Sequence, residues 1–481
     1  MTEQENLKDK TKRGLMWSTI GNFANQGIRF VFGIILARLL SPDDYGVIGM
    51  LTIFMCIVST FIDCGFSQAL ISKQNRTQAD FSTEFFFNIG VGIVGYGILF
   101  LISPFVADFY NMSILSPVLK VVGLGVVINS LCVVQSAQFS IRLDFKTPAK
   151  ISVISQLSSG AIGIALAYNG WGVWSLVFQQ IMGGFFNAIM LWILAKWRPT
   201  LEFSKESFKY LWKYGSNVLG SSILSQIYDN IQPLIVGKVF NANTLGLYSR
   251  ALNFAQLPST NLSNILGNVT FPILTRINGE LIRMANVYRR MIKVTGYVVF
   301  PLMIGLAAVS SPLVKVLLND QWYGCIILLQ ITSISLMWQP ISFINLNLLK
   351  AANRPDVVLK LELIKKPLGL VVLLVSAYFG IIPFALGNLV ICVFAVSVNT
   401  IYTSKILKIT FYNQIKDLST PFIASIIMGL IVYITVGLID NEYISLFVGV
   451  LIGVSCYLLE SKLFMSNLMK DTLSMFVKKN R

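Results

Sequence analysis

The 481-residue chain contains no histidine. The side chain that most often acts as general base, proton shuttle or metal ligand near neutral pH is therefore missing. Charge is scarce as well: 12% of residues are charged, about half the share of a soluble domain. A soluble fold of this size could not cover its surface with so few. The cysteines number six, Cys56, Cys64, Cys132, Cys325, Cys392 and Cys456. All lie in apolar runs, and none forms a CxxC or finger spacing. They read as small buried residues, with neither disulfides nor metal, and no cofactor is expected. Walker A, HExxH and nucleophile-elbow patterns are lacking. The segment GVGIVG at 90–95 satisfies GxGxxG, but no strand precedes it. Gly92 and Gly95 there read as close helix packing.

What is present is apolar. Hydrophobic residues make up 55% of the chain and mean hydropathy is +0.69. A helix needs about 20 apolar residues to cross a bilayer. Fourteen segments qualify, near 15–40, 46–71, 82–108, 116–138, 147–169, 171–195, 212–240, 246–273, 290–318, 323–348, 357–379, 382–404, 420–438 and 443–463. The expected fold class is an all-α polytopic membrane protein of fourteen transmembrane helices. The first apolar run is too long for a signal-peptide core and has no small-residue cleavage site, so it reads as a retained helix.

The net charge of +16 suggests nucleic acid only until the charges are placed. All but six of the 38 lysines and arginines fall at the N-terminus, in even-numbered loops or at the C-terminus. The exceptions are Arg29, Arg38, Lys120, Lys238, Arg250 and Lys315. This alternation is the positive-inside pattern and puts both termini in the cytoplasm. The basic excess faces anionic inner-leaflet lipid, and a nucleic-acid partner is not expected. Odd-numbered loops are short, which speaks against a polymerase or ligase with catalytic loops on the outer side.

The chain also repeats. IILARLLSPDDYGVIGM (34–50) aligns without a gap on LIVGKVFNANTLGLYSR (234–250). SPFVADFYN (103–111) matches SPLVKVLLN (311–319), Arg142 then falls on Lys350, and LAYNGWGVW (166–174) resembles SAYFGIIPF (376–384). Two parallel six-helix repeats follow, divided as an N-terminal lobe 1–204 and a C-terminal lobe 205–415, with a terminal helix pair and basic tail at 416–481. Transporters built this way bind substrate between the halves and alternate access by rocking. In the first repeated turn, Ser41 reads as N-cap, Pro42 as the first helical residue and Asp44 as the capping-box acid. Asn241 or Asn243 is the equivalent cap in the second. Pro233, Pro258, Pro272, Pro301 and Pro340 suggest kinked helices.

KRGLMWSTIGNFANQGIRFVFGIILARLLSPDDYGVIGM at the start, DCGFSQALI, and YDNIQPLIVGKVFNANTLGLYSRA in the second half resemble the polysaccharide transporter family. These are the Wzx-type flippases, in the superfamily that also holds MATE exporters and the lipid II flippase MurJ. The likeness runs over essentially the whole chain and looks closest to the colanic acid and lipopolysaccharide exporter branch. It implies a bacterial inner-membrane protein, not an enzyme, that carries undecaprenyl-diphosphate-linked oligosaccharide to the periplasmic leaflet. Polymerase and glycosyltransferases of the same pathway would be its partners. The competing readings are a MATE-like cation-coupled exporter and a polymerase or ligase.

Arg29 lies about 21 Å along the first helix at 1.5 Å per residue, near the membrane midplane. An arginine there costs about 2.5–3.5 kcal/mol on insertion scales unless it meets a partner or water. A diphosphate headgroup suits a guanidinium, so Arg29 is expected to face a wet cavity. The alternative is a local partner, and the repeat supplies one: at a shift of 200, Arg29 maps onto Asp229, a candidate for a gate pair. Arg250 ranks second as a cavity residue, because members of the resembled family line the cavity with basic side chains. Asp63 reads as a buried acid, either coupling or packing. Lys360 and Glu362 read as a solvated helix end or the inner vestibule, beside Lys365 and Lys366. Arg38 and Lys238 are expected to snorkel to the interface.

Overall fold

The computed structural model describes residues 3–63 and 65–477, and helices are its only regular structure. Apolar segments in a bilayer must satisfy every backbone polar group internally, which leaves the helix as the local solution. Two compact units divide the chain, Met1–Gly246 and Leu247–Arg481. Cys64 lies outside the described residues; the other five cysteines are free.

The first unit is built from α1 (Glu3–Leu39), α2 (Pro42–Asp63), α3 (Phe66–Ser72), α4 (Gln78–Tyr110), α5 (Leu115–Val122), α6 (Leu124–Ser130) and α7 (Val133–Ile141). It continues through α8 (Lys146–Tyr168), α9 (Val173–Ala195), α10 (Lys205–Asp229) and α11 (Ile231–Val239). α12 (Ala242–Arg276) starts in this unit and runs into the second. There follow α13 (Leu281–Ala308), α14 (Ser310–Leu317), a 3-10 turn (Asp320–Trp322), α15 (Cys325–Leu336) and α16 (Gln339–Ala351). The second unit ends with α17 (Pro355–Tyr378), α18 (Ile381–Leu407), α19 (Phe411–Gly437), α20 (Glu442–Phe464) and α21 (Ser466–Val477).

Among the described residues, 11 helical stretches are long and apolar enough to cross a membrane. The expected spans 212–240, 246–273 and 357–379 are not among them. Their helices carry the reason. α10 holds Lys205, Glu206, Lys209, Lys213 and Asp229; α12 holds Arg250 and five asparagines; α17 holds Asp356, Lys360, Glu362, Lys365 and Lys366. Lipid cannot solvate such faces.

In the first unit α1 lies along α8, α8 along α9, α4 packs on α2, α5 and α6, and α10 packs on α2, α3 and α4. The glycine pair on α4 makes the expected close contacts: a Cβ on Gly92 would meet Ser130 and one on Gly95 would meet Val58. Pro258, Pro272 and Pro301 do sit inside helices. Pro340 instead stands in the first turn of α16, and Pro233 near the start of α11. A proline there forfeits no helical hydrogen bond, because the first N–H groups have no intrahelical acceptor.

The repeat is visible in the helix ends. α1 stops at Leu39 and α11 at Val239; α2 starts at Pro42 and α12 at Ala242. Ser41 and Asp44 form the capping box, with the Ser41 N–H donating to Asp44 Oδ2 at 2.9 Å and the Asp44 N–H to Ser41 Oγ at 3.3 Å. In the second turn Asn241 is the cap, accepting from the Thr244 N–H at 2.8 Å. Asn243 is used otherwise: its Nδ2 donates to Asp43 Oδ2 at 2.9 Å. The two turns therefore touch, and reciprocally. A Cβ on Gly46 would lie 1.8 Å from the Ala242 carbonyl oxygen, and one on Gly246 1.9 Å from the Pro42 carbonyl oxygen. Each repeat thus presses a backbone carbonyl onto the other's glycine, as a local twofold requires. Lys238 belongs to this end as well. Its ammonium donates to the Phe109 carbonyl and lies 4.4 Å from the Phe109 ring centre.

In the second unit α19 lies along α13 and carries α20 with it. A polar clasp ties the start of α19 to α13. Arg289 donates to both oxygens of Asp417, at 2.6 and 2.8 Å, and Lys293 approaches at 3.0 Å. Beside it, the buried Tyr288 hydroxyl touches Asn345, Thr403 and Gln414. The Asp417 carboxylate is almost fully covered. Asp417→Ala is expected to lower stability by about 2–3 kcal/mol, the low side of a broken buried pair because both cations are partly solvated. A thermal melt of the detergent-purified protein measures it.

Candidate functional site

α1 is apolar from Met16 onward, and Arg29 sits within that stretch. The helix packs along one side on α8, and the Arg29 side chain is exposed. Among the described residues no carboxylate lies within ion-pair distance of it. The pairing with Asp229 that the repeat offered is not made. Asp229 is exposed at the last turn of α10, where the chain breaks at Asn230 before α11. Equivalence under a repeat puts two residues at the same depth; it does not bring them into contact.

Asp63 was expected to be buried, and the structure corrects this. It is exposed at the end of α2, beside Gly65, which adopts the left-handed conformation (φ 72°) that starts α3. The helix breaks at this acid, so its carboxylate leaves the packed face. Asp63 and Asp229 are alike in this respect, since each ends a helix that resumes within three residues.

Arg250 departs from expectation in the other direction. It is buried, 8% exposed, with its guanidinium 5.1 Å from the centre of the Trp322 ring. A flat, weakly hydrated cation stacks well on indole. Arg250 is thus part of the packing of the second unit rather than an exposed cavity residue.

On α17, Lys360 is exposed and Glu362 half-buried. Lys365, expected in a solvated helix end, is buried. Its ammonium donates to Glu362 Oε1 at 2.7 Å and to Asn399 Oδ1 on α18 at 3.0 Å. Asn399 in turn donates to Ser342 on α16 at 2.8 Å. Charge from α17 is therefore anchored inward across three helices. The local sequence shows only the Glu362 partner, because Asn399 lies 34 residues away. Among the described residues no group of acidic or cysteine side chains could hold a metal ion.

A family model described as "Polysaccharide biosynthesis protein" matches residues 35–327. The chain is 24% identical to the lipopolysaccharide biosynthesis protein WzxC of Escherichia coli, over 87% of this chain and 86% of that one. It is also 24% identical to the teichuronic acid biosynthesis protein TuaB of Bacillus subtilis, over 71% of each chain. Among solved structures, the lipid II flippase MurJ in an inward closed conformation superposes with a TM-score of 0.78 at 16% identity, covering 94% of this chain and all of MurJ. An inward-facing MATE multidrug transporter follows with a TM-score of 0.60 at 13% identity, over 80% of this chain and 95% of that one.

Proposed function

This chain belongs to the polysaccharide biosynthesis protein family, and from that premise we propose that it flips lipid-linked oligosaccharide across the bacterial inner membrane. The substrate class is an undecaprenyl-diphosphate-linked unit, delivered to the outer leaflet for lipopolysaccharide or exopolysaccharide assembly. The named relatives serve polysaccharide biosynthesis, and MurJ, which shares the fold, is named a lipid II flippase. In this reading the protein transports and does not catalyse.

The observation that carries the proposal is Arg29: an exposed guanidinium without an ion-pair partner among the described residues, inside an apolar helix. Such a group is tolerable only where it meets water or an anion. A diphosphate supplies the anion. The polar faces of α10, α12 and α17 border water on the same argument. All three then cross the membrane despite their composition, which gives fourteen spans and two cytoplasmic termini. The six-helix repeats 1–204 and 205–415 with the terminal pair 416–481 follow from that count. In the first unit, Asp229 and Asp63 are the exposed acids proposed to respond when the headgroup enters. Polymerase and glycosyltransferases would act on either side of the step. A small-cation exporter is the alternative, and a cationic exposed residue on α1 disfavours it.

The test is leaflet accessibility. Purified protein is placed in liposomes that contain undecaprenyl-diphosphate oligosaccharide, and an external glycan-modifying enzyme reports the exposed fraction. Exposure running to completion only with protein present supports flipping. Exposure at the protein-free level for several glycans, with an ion gradient applied, overturns it.

A further inference from the structure

Glu84 lies on α4, about 9 Å from its start at 1.5 Å per residue. It is fully buried. One carboxylate oxygen, Oε1, accepts from Ser67 Oγ on α3 at 2.8 Å. The other, Oε2, is buried with no hydrogen-bond partner among the described residues. One turn further along the same face, Asn88 is also fully buried; its amide approaches the Glu84 carboxylate, but neither its Oδ1 nor its Nδ2 makes a hydrogen bond of ordinary geometry. Residues four apart on a helix are neighbours, so these orphaned groups share one site.

Other buried polar atoms also lack partners, both side-chain atoms of Gln135 among them, but the other buried carboxylates, Asp80 and Asp417, are each met by a cation. The Tyr288 hydroxyl in the second unit has three partners, and Asn345 beside it reaches Thr400 at 3.1 Å. Incomplete networks are costly in an apolar interior, so the one around Glu84 points to an occupant that completes it. The occupant must be cationic, because a buried carboxylate with a single neutral donor is strongly disfavoured. Lys73 does not serve. Its ammonium is held by both oxygens of Asp80, at 2.7 and 2.8 Å, one turn nearer the helix start.

We propose that Ser67, Glu84 and Asn88 form a site for one monovalent cation, a proton or sodium. The unpaired Oε2, the unpaired Asn88 Oδ1 and the Ser67 hydroxyl are hard oxygen donors. A single positive charge neutralises the site, whereas a divalent ion would leave it charged. The other charges on the elements around α4 lie toward helix ends. α3, α6 and α7 carry none; α2 has Asp63 and, at its start, Asp43 and Asp44; α5 has Lys120; α10 has Lys205, Glu206, Lys209, Lys213 and Asp229; α11 has Lys238. Arg142, after α7, donates to Gln138. Because Ser67 stands on the short helix that follows the Gly65 break, occupancy also decides how firmly α3 is held to α4.

The test uses the full-length protein in detergent, alongside Glu84→Gln, at constant ionic strength with choline replacing sodium. In choline, the wild-type melting temperature is expected to fall by several degrees relative to Glu84→Gln between pH 5 and pH 8. If the site holds a proton, its release leaves an uncompensated buried charge in the folded state alone, so stability drops as pH rises. At pH 8, sodium should restore wild type and leave Glu84→Gln unmoved. Response to pH alone assigns a proton; response to both assigns sodium competing with it. A wild-type minus Glu84→Gln difference that stays constant through both titrations overturns the site. If Glu84→Gln does not fold, Asn88→Ala and Ser67→Ala take its place. Each should shift, at least threefold, the sodium or proton concentration that gives half of the melting-temperature change, and unshifted concentrations in both overturn the proposal.

Discussion

Alanine at position 29 is expected to slow flipping at least tenfold while the protein inserts and melts as before. The two effects separate because Arg29 is exposed and contributes no ion pair to the fold. A hydrogen bond to a charged group is worth about 1.5–3 kcal/mol, and a guanidinium fork on phosphate stands at the upper end. Losing it corresponds to about 10- to 150-fold at 1.4 kcal/mol per decade. An arginine that meets water carries little of the insertion cost of a lipid-facing one, so its removal takes nothing from the fold and relieves whatever part of that cost remains. The melting temperature is therefore expected to hold or rise. Arg29→Lys keeps the charge without the planar fork and should fall between. The liposome accessibility assay and a melt, run on the same preparations, measure both. Full activity in Arg29→Ala would remove the anion site; a matching loss of stability would make the residue structural.

The second large effect is at the paired turns. With the native cysteines replaced, Asp43→Cys together with Asn243→Cys is expected to form a disulfide under mild oxidation, because the native side chains meet tip to tip on turns whose backbones are in contact. Oxidation should stop transport completely and reductant should restore it, if the helices that start at Pro42 and Ala242 must part in each cycle. Adding Gly46→Ala to the double cysteine should prevent the cross-link. Its Cβ would stand 1.8 Å from the Ala242 carbonyl, and backbone cannot move aside as a flexible side chain can. Non-reducing electrophoresis reads the bond. Transport that continues through a formed disulfide would show that this contact need not open.

The sequence made the helices legible because a bilayer imposes a length and a composition on each crossing. The segments at α10, α12 and α17 were legible as helices, although their composition keeps them out of the 11 apolar crossings. The paired turns were legible from the repeat, down to the capping box at Ser41 and Asp44. Side-chain environment was not. Hydropathy could not tell that Asp63 ends its helix, since one residue with left-handed backbone decides that. Arg250 and Arg29 look alike in sequence, and only Trp322, 72 positions on, buries one of them. Lys365 reads as a solvated lysine until Asn399 is folded against it. Glu84 and Asn88, two lone polar residues in an apolar run, look in sequence like ordinary helix-packing contacts.

The contact between Asp43 and Asn243 has a bearing on descent. These positions correspond under the shift of 200, so each meets its own counterpart. In an ancestor made of two identical half-length chains, aspartate would have faced aspartate there, or asparagine would have faced asparagine. A homodimer must place identical side chains opposite each other at a residue on its symmetry axis, so it cannot set an acid against an amide there. The Asp43–Asn243 pair is open only to halves whose sequences are free to differ.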